Sequence, residues 1–230
     1  MEQKTFALKG NIIYTKERTR FEVMEQGYLV CEEGRVRDVY SVLPEELKGI
    51  LVEDMGDRLI IPGLTDLHIH APQYTFRSLG MDMELLEWLE TNTFPEESKY
   101  KDAEYAQKAY GMFAEQLKKS ATVRACIFGT IHNEATLILM DLLEEAGLHT
   151  MVGKVNMDRN SPDYLCEPSA EASAQATREW LKAVADRKYK HTRPILTPRF
   201  TPSCTDELME LLKEIQTETH LPMQSHLSET

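Results

Sequence analysis

The sequence predicts an α/β protein, with a small β layer over residues 1–60 followed by a barrel-like series of parallel βα units over 61–230. Three observations carry this expectation. Short apolar runs separated by turn residues fill the first part of the chain. From about position 59 the rhythm changes to strand, loop, helix, repeated, as parallel βαβ units require. A composition of 42% hydrophobic and 28% charged residues supplies enough apolar surface for a sizeable core.

In the β layer, strands are expected at 10–14, 27–31 and 35–40. Glu32-Glu33-Gly34 is the hairpin turn between the last two. In the second part, strands are expected at 59–67, 122–129, 149–155, 194–197 and 221–226, each rich in branched or apolar residues. Helices fill the intervals. The first spans 102–119, where Tyr105, Ala109, Phe113 and Leu117 recur every fourth residue and share one face, a core-packing stripe. The second spans 134–146, with Gly147 as the residue that ends it. A third is expected at 169–187. The last covers 205–218, where Ser203 followed by Asp206 makes a weak capping box.

Charge and cysteine usage narrow the function classes. Lys and Arg total 26 against 38 Asp and Glu, a net charge of -12, which repels a phosphate backbone and leaves no basic stripe for nucleic acid. A small neutral substrate suits this balance. Cys31, Cys126, Cys166 and Cys204 are scattered and form no CxxC pair, so neither a thiolate cage nor a disulfide framework is expected. The opening residues carry no apolar signal segment, and no later run is long enough to cross a bilayer. A cytoplasmic protein with no membrane partner is the expectation.

The strongest motif is Ile61-Pro-Gly-Leu-Thr-Asp-Leu-His-Ile-His70. Alternate strand residues point the same way, so His68 and His70 aim two imidazoles at one point, as capture of a divalent metal requires. Asp66, two residues earlier, is expected on the same face, where it could hold a histidine in the correct tautomer.

Pro62-Gly63-Leu64-x-Asp66-x-His68-x-His70 resembles the first-strand signature of the amidohydrolase superfamily. Further matches follow in order: His70-Ala-Pro-Gln-Tyr74, Leu86-Glu-Trp-Leu89, Thr93-Phe-Pro-Glu96, Gly153-Lys-Val-x-Met157-Asp158, Pro198-Arg-Phe-Thr-Pro-Ser-Cys204 and Gln224-Ser-His-Leu-Ser-Glu229. Together they are similar to the guanine deaminase family. The resemblance implies an incomplete TIM (β/α) barrel of about five βα units, preceded by a small β-sandwich-like domain. It also implies hydrolytic deamination of guanine to xanthine and ammonia.

On the matching positions, His226 becomes a third metal ligand beside His68 and His70, and Glu229 the proton shuttle. The implied metal is Zn2+, one per subunit, with Fe2+ as the alternative. Gln73, Arg199 and Phe200 would bind the purine, Phe200 by stacking on its face and Arg199 by donating to a ring acceptor. Trp88 reads as wall or core at the edge of the ligand. Lys154 reads as structural, because the deaminase branch is expected to use a single metal. His132 is left unassigned, and His149, His191 and His220 lie away from the strand ends where catalysis belongs. The family suggests a homodimer.

Superfamily members carry a further histidine after the sixth strand and an aspartate after the eighth, whereas this chain stops at Thr230. The expectation is a truncated form that needs its C-terminal half. Two alternatives stand beside it: another amidohydrolase-type aminohydrolase, acting on an adenosine derivative, cytosine or a triazine, and an inactive fragment, an interaction or assembly piece that needs its C-terminal half.

Overall fold

A computed structural model describes residues 5–227. The chain forms two compact units, Met1–Gly63 and Leu64–Thr230.

The first unit is a single four-stranded sheet built from β1 (Thr5–Glu17), β2 (Arg20–Glu32), β3 (Arg35–Tyr40) and β4 (Leu51–Ile60), in the order β3-β2-β1-β4. β1 and β2 are antiparallel, as are β2 and β3, while β4 joins β1 in parallel. Glu33 and Gly34 both take positive φ, 49° and 77°, in the hairpin turn where the sequence places it. Ala7, Val30 and Leu47 form a small core under Tyr28 and Tyr40. Among the described residues this unit has one sheet, so the expected two-layered sandwich is not formed. β1 and β2 are also far longer than the short strands expected, because their polar ends at Lys16 and Arg20 continue a two-stranded ribbon past the apolar runs.

The expected strand at 59–67 is two strands in two different sheets. β4 ends at Ile60 and β5 (Leu64–His70) begins after Pro62 and Gly63. Pro62 has no backbone N–H and cannot continue a ladder.

The second unit is a mixed α/β fold around a parallel sheet, β5-β6-β7-β9, with β6 at Thr122–Phe128, β7 at His149–Gly153 and β9 at Thr192–Pro194. A two-stranded parallel pair, β8 (Val155–Asn156) and β10 (Thr197–Pro198), extends it. The expected strand at 194–197 is therefore broken in its middle. Pro194 and Pro198 each lack an N–H, so the chain pairs briefly with β7 and then shifts to β8.

That shift requires a glycine. A Cβ built on Gly153 would lie 1.7 Å from Thr197 Oγ1 and 2.8 Å from the Ile195 carbonyl. Replacing Gly153 by Ala is expected to cost about 1–3 kcal/mol or more by overpacking, read as a lower urea midpoint at unchanged slope. An unchanged midpoint would show that the crossing can relax.

Between the strands run α1 (Leu85–Trp88), α2 (Phe94–Ser98), α3 (Ala103–Lys118), α4 (Asn133–Glu145), α5 (Ala170–Arg187) and α6 (Asp206–Thr219). α3 starts at Asp102, whose side chain accepts from the N–H groups of Glu104 and Tyr105, and α5 starts at Ser169, which accepts from Ala172. The N-cap of α6 is Thr205 rather than Ser203. Its hydroxyl accepts from Leu208 N–H, while Asp158 holds both the hydroxyl and the backbone N–H of Thr205. Ala109, Phe113 and Leu117 of α3 meet Leu139 and Leu143 of α4 over Ala125, Ile127 and Val152 of the sheet.

The region before α3, to which the sequence reading assigns no element, is helical in short pieces. α1 and α2 are joined by a single π-helical turn, Leu89–Thr93. Short helical pieces around a Pro95 leave no long apolar period to detect.

The expected strand at 221–226 forms only two isolated bridges, Leu196 with Met223 and Phe200 with His226. Leu196 N–H donates to the Pro222 carbonyl, Gln224 N–H to Leu196 and His226 N–H to Arg199, so the segment follows its neighbour without a continuous ladder. Pro222 again removes one donor.

Candidate metal centre

His68 and His70 lie on β5, and His226 is brought beside them by its bridge to Phe200. One nitrogen from each of the three rings lies within 4.8 Å of the others. The Nε2 atoms of His70 and His226 are 2.9 Å apart. Two imidazole nitrogens on a tetrahedral zinc, each at about 2.0–2.1 Å, stand roughly 3.3 Å apart, so little movement separates this arrangement from shared coordination.

The tautomer of His226 follows from its neighbour. Its Nδ1 lies 2.7 Å from the Arg199 carbonyl, which can only accept. Nδ1 therefore carries the proton and Nε2 presents a bare lone pair towards the other rings. His70 Nδ1 is buried without a hydrogen-bond partner among the described residues, so neither nitrogen of that ring is committed to a protein oxygen. His70 is held well below its ordinary 6.5, first by burial and then by the Arg199 cation and the neighbouring imidazoles. A buried ring nitrogen left without a partner, as His70 Nδ1 is among the described residues, is costly. The donor set suits a divalent ion that accepts nitrogen ligands.

Phe128, at the end of β6, forms the apolar floor. Its ring stacks on His70 at 4.4 Å and 17°, and lies 5.0 Å from His68 and 4.6 Å from His226. Register explains the contact, since His70 stands directly opposite Phe128 in the parallel ladder. Nothing in the apolar run Ala125-Cys-Ile-Phe128 singles this ring out in the sequence.

Between Asp66 and Ile69 the pairing of β5 with β6 is irregular. Asp66 pairs with Ala125 and Ile69 with Ile127, so three steps on β5 match two on β6. The extra residue is a β-bulge, which breaks the alternation behind the expectation. The Asp66 carboxylate instead accepts the backbone N–H of His68 at 3.0 Å.

Arg199 is buried at 3% exposure and forks onto Glu97, Nη1 to Oε2 at 2.6 Å and Nη2 to Oε1 at 3.3 Å. Its guanidinium also lies over the Phe94 ring at 5.3 Å. Phe200 is half-buried beside His226. Gln73 is half-buried in the 3-10 segment Ala71–Phe76, three residues beyond His70. Trp88 packs against Phe76 and donates its indole N–H to the Leu79 carbonyl at 3.0 Å. It reaches the centre only through the apolar cluster that includes Phe128. Glu229 lies outside the described residues.

Lys154 is fully buried and paired with Glu167, whose carboxylate also accepts Met157 N–H and the Ser173 hydroxyl. His132 precedes α4 with Nε2 buried and unpartnered among the described residues. It is pushed down from 6.5 to about 4, first by burial and then by the Lys101 and Lys154 charges. Below pH 6.5 the unfolded chain takes up a proton that the folded chain refuses, so stability present above that pH is lost as pH falls towards about 4. His132→Gln is expected to show a shallower fall in the urea midpoint across that window. Equal slopes would refute the assignment.

Residues 59–230 match the amidohydrolase family. Guanine deaminase of Dictyostelium discoideum is 37% identical, over 96% of this chain and 53% of its own length. The guanine deaminase of Mus musculus is 41% identical over 74% of this chain and 37% of its own length. A crystal structure of guanine deaminase from C. acetobutylicum, with guanine bound in its active site, superposes with a TM-score of 0.93 at 43% identity, covering 98% of this chain and 54% of that one. The chain thus spans about half the length, or less, of these relatives.

Proposed function

Because the chain belongs to the amidohydrolase family, whose members depend on a metal, we propose that it carries the metal-binding half of a hydrolase that converts guanine to xanthine and ammonia. The observation that carries this reading is the convergence of His68, His70 and His226, with the His226 lone pair turned inward by the Arg199 carbonyl. The parallel sheet and its helices are read as an incomplete TIM barrel of about five βα units, the histidines sitting at strand ends as catalytic groups of such barrels do.

His68, His70 and His226 would hold a zinc ion, one per subunit, with ferrous iron as the alternative, which would supply a water acidic enough to ionise near neutral pH. Glu229 would take a proton from that water and return it to the departing amine. The fork onto Glu97 engages two of the five N–H groups of Arg199, leaving the others to donate to a ring acceptor of the purine. Phe200 stacks on the purine face, the Gln73 amide addresses its polar edge, and Trp88 closes the wall. A cytoplasmic homodimer is the assembly proposed for the complete enzyme.

The test uses the full chain, dialysed with zinc and assayed for ammonia release from guanine, alone and with the C-terminal half of a related guanine deaminase added. Zinc uptake and restored turnover on guanine are expected. Absence of zinc uptake, or restored turnover on adenosine derivatives, cytosine or triazines but not guanine, would reject the reading.

A further inference from the structure

Two adjacent carboxylates on α2, Glu96 and Glu97, are both nearly buried, at 8% and 1% exposure, yet they serve different segments. Glu96 accepts the Thr75 hydroxyl at 2.7 Å and also binds Tyr105 and Lys99. Glu97 reaches across the unit to the guanidinium of Arg199. Each of these two charges is out of water, so the pair is rigid and neither partner has a solvent alternative.

The backbone of Arg199 is tied to His226. Its carbonyl accepts His226 Nδ1–H at 2.7 Å, His226 backbone N–H at 3.0 Å and the Ser225 hydroxyl at 3.3 Å. Its own N–H donates to the Asn156 carbonyl at 3.1 Å. The orientation of the His226 ring therefore depends on where one peptide carbonyl sits. Pro198 on one side lacks an N–H to anchor the strand, and β10 is only two residues long. The side chain of Arg199, forked onto Glu97, is a further anchor of that residue.

We propose that Glu97 is a positioning residue for the metal centre: by clamping the Arg199 guanidinium it fixes the Arg199 carbonyl that holds His226 in its Nδ1–H tautomer with Nε2 facing His70. This rests on the metal-site reading for its purpose but not for its geometry. Glu97 bonds the Arg199 guanidinium and acts through it.

Imidazole nitrogen NMR on the full chain tests it without metal. Wild type is expected to show His226 as the Nδ1–H tautomer, Glu97→Gln a mixture of tautomers, and Glu96→Gln the wild-type pattern. Arg199→Lys, which keeps the cation but loses the fork, is expected to mimic Glu97→Gln and serves if that variant folds poorly. In the zinc-loaded chain, Glu97→Gln is expected to release zinc to a chelator roughly tenfold or more faster than Glu96→Gln, the scale typical of losing a group that supports a ligand. An unchanged His226 tautomer in Glu97→Gln, or the same change in Glu96→Gln, overturns the proposal. If wild type takes up no zinc, the metal reading falls and the tautomer measurement alone decides the role of Glu97.

Discussion

Replacing His226 by Ala is expected to strip the zinc-dialysed chain of its metal while leaving it folded. The ring is half-buried and its ring neighbours are His68, His70 and Phe128, so its removal opens a small space at the centre itself and not in the main core. Two imidazoles remain, and a two-nitrogen site is a poor hold for an ion that takes four ligands. Loss of a group that merely supports a ligand costs about 10–100-fold in affinity, and loss of a ligand should exceed that. His149→Ala is the matched control, since His149 lies at the opposite end of the parallel strands, stacked edge-on with His191 at 5.0 Å. Zinc stoichiometry by atomic absorption after exhaustive dialysis is the measurement. Retention of wild-type zinc by His226→Ala would remove that residue from the centre.

The second large effect is expected at Lys154. Lys154→Met leaves the Glu167 carboxylate buried without its cation, and breaking one side of a buried pair costs about 3–5 kcal/mol. Burial itself opposes the charge on Lys154, and the Glu167 carboxylate counters it. The double variant Lys154→Met with Glu167→Gln should recover most of the loss, because the amide oxygen can still accept Met157 N–H and the Ser173 hydroxyl. Urea unfolding of both single variants and the double variant gives the coupling directly. A single-variant loss below about 1 kcal/mol would mean that water or rearrangement reaches the pocket.

Much of this architecture can be read from the residues. The helices at 103–118, 133–145 and 170–187 announce themselves by long apolar periods and by Asp102, Ser169 and Gly147 at their ends. His68 and His70 are legible because two histidines one residue apart on an apolar strand have few other uses. His226 is not legible alone, since a strand-end histidine usually has no ligand; only its motif marks it.

What stays hidden depends on long-range pairing. Phe128 looks like any core aromatic until register sets it under His70. Glu97 follows the motif Thr93-Phe-Pro-Glu96 without a sequence signal of its own, and only folding brings it to an arginine 102 positions away. The prolines at 194, 198 and 222 explain why the expected strands there are broken or reduced to bridges, because one missing N–H matters more in a short ladder than apolar content does.

The bulge on β5 bears on how the strand tolerates changes in length. A second irregularity, between Leu64 and Thr65, runs the other way, so the two cancel: Leu64 faces Thr122 and His70 faces Phe128, as in an unbroken ladder. Only the stretch between them is displaced. Residues 65–68 therefore hold the slack of the strand, and an insertion or deletion there can be taken up by a shift of the bulge, whereas one between His68 and His70 would change the spacing that turns both rings to a common point.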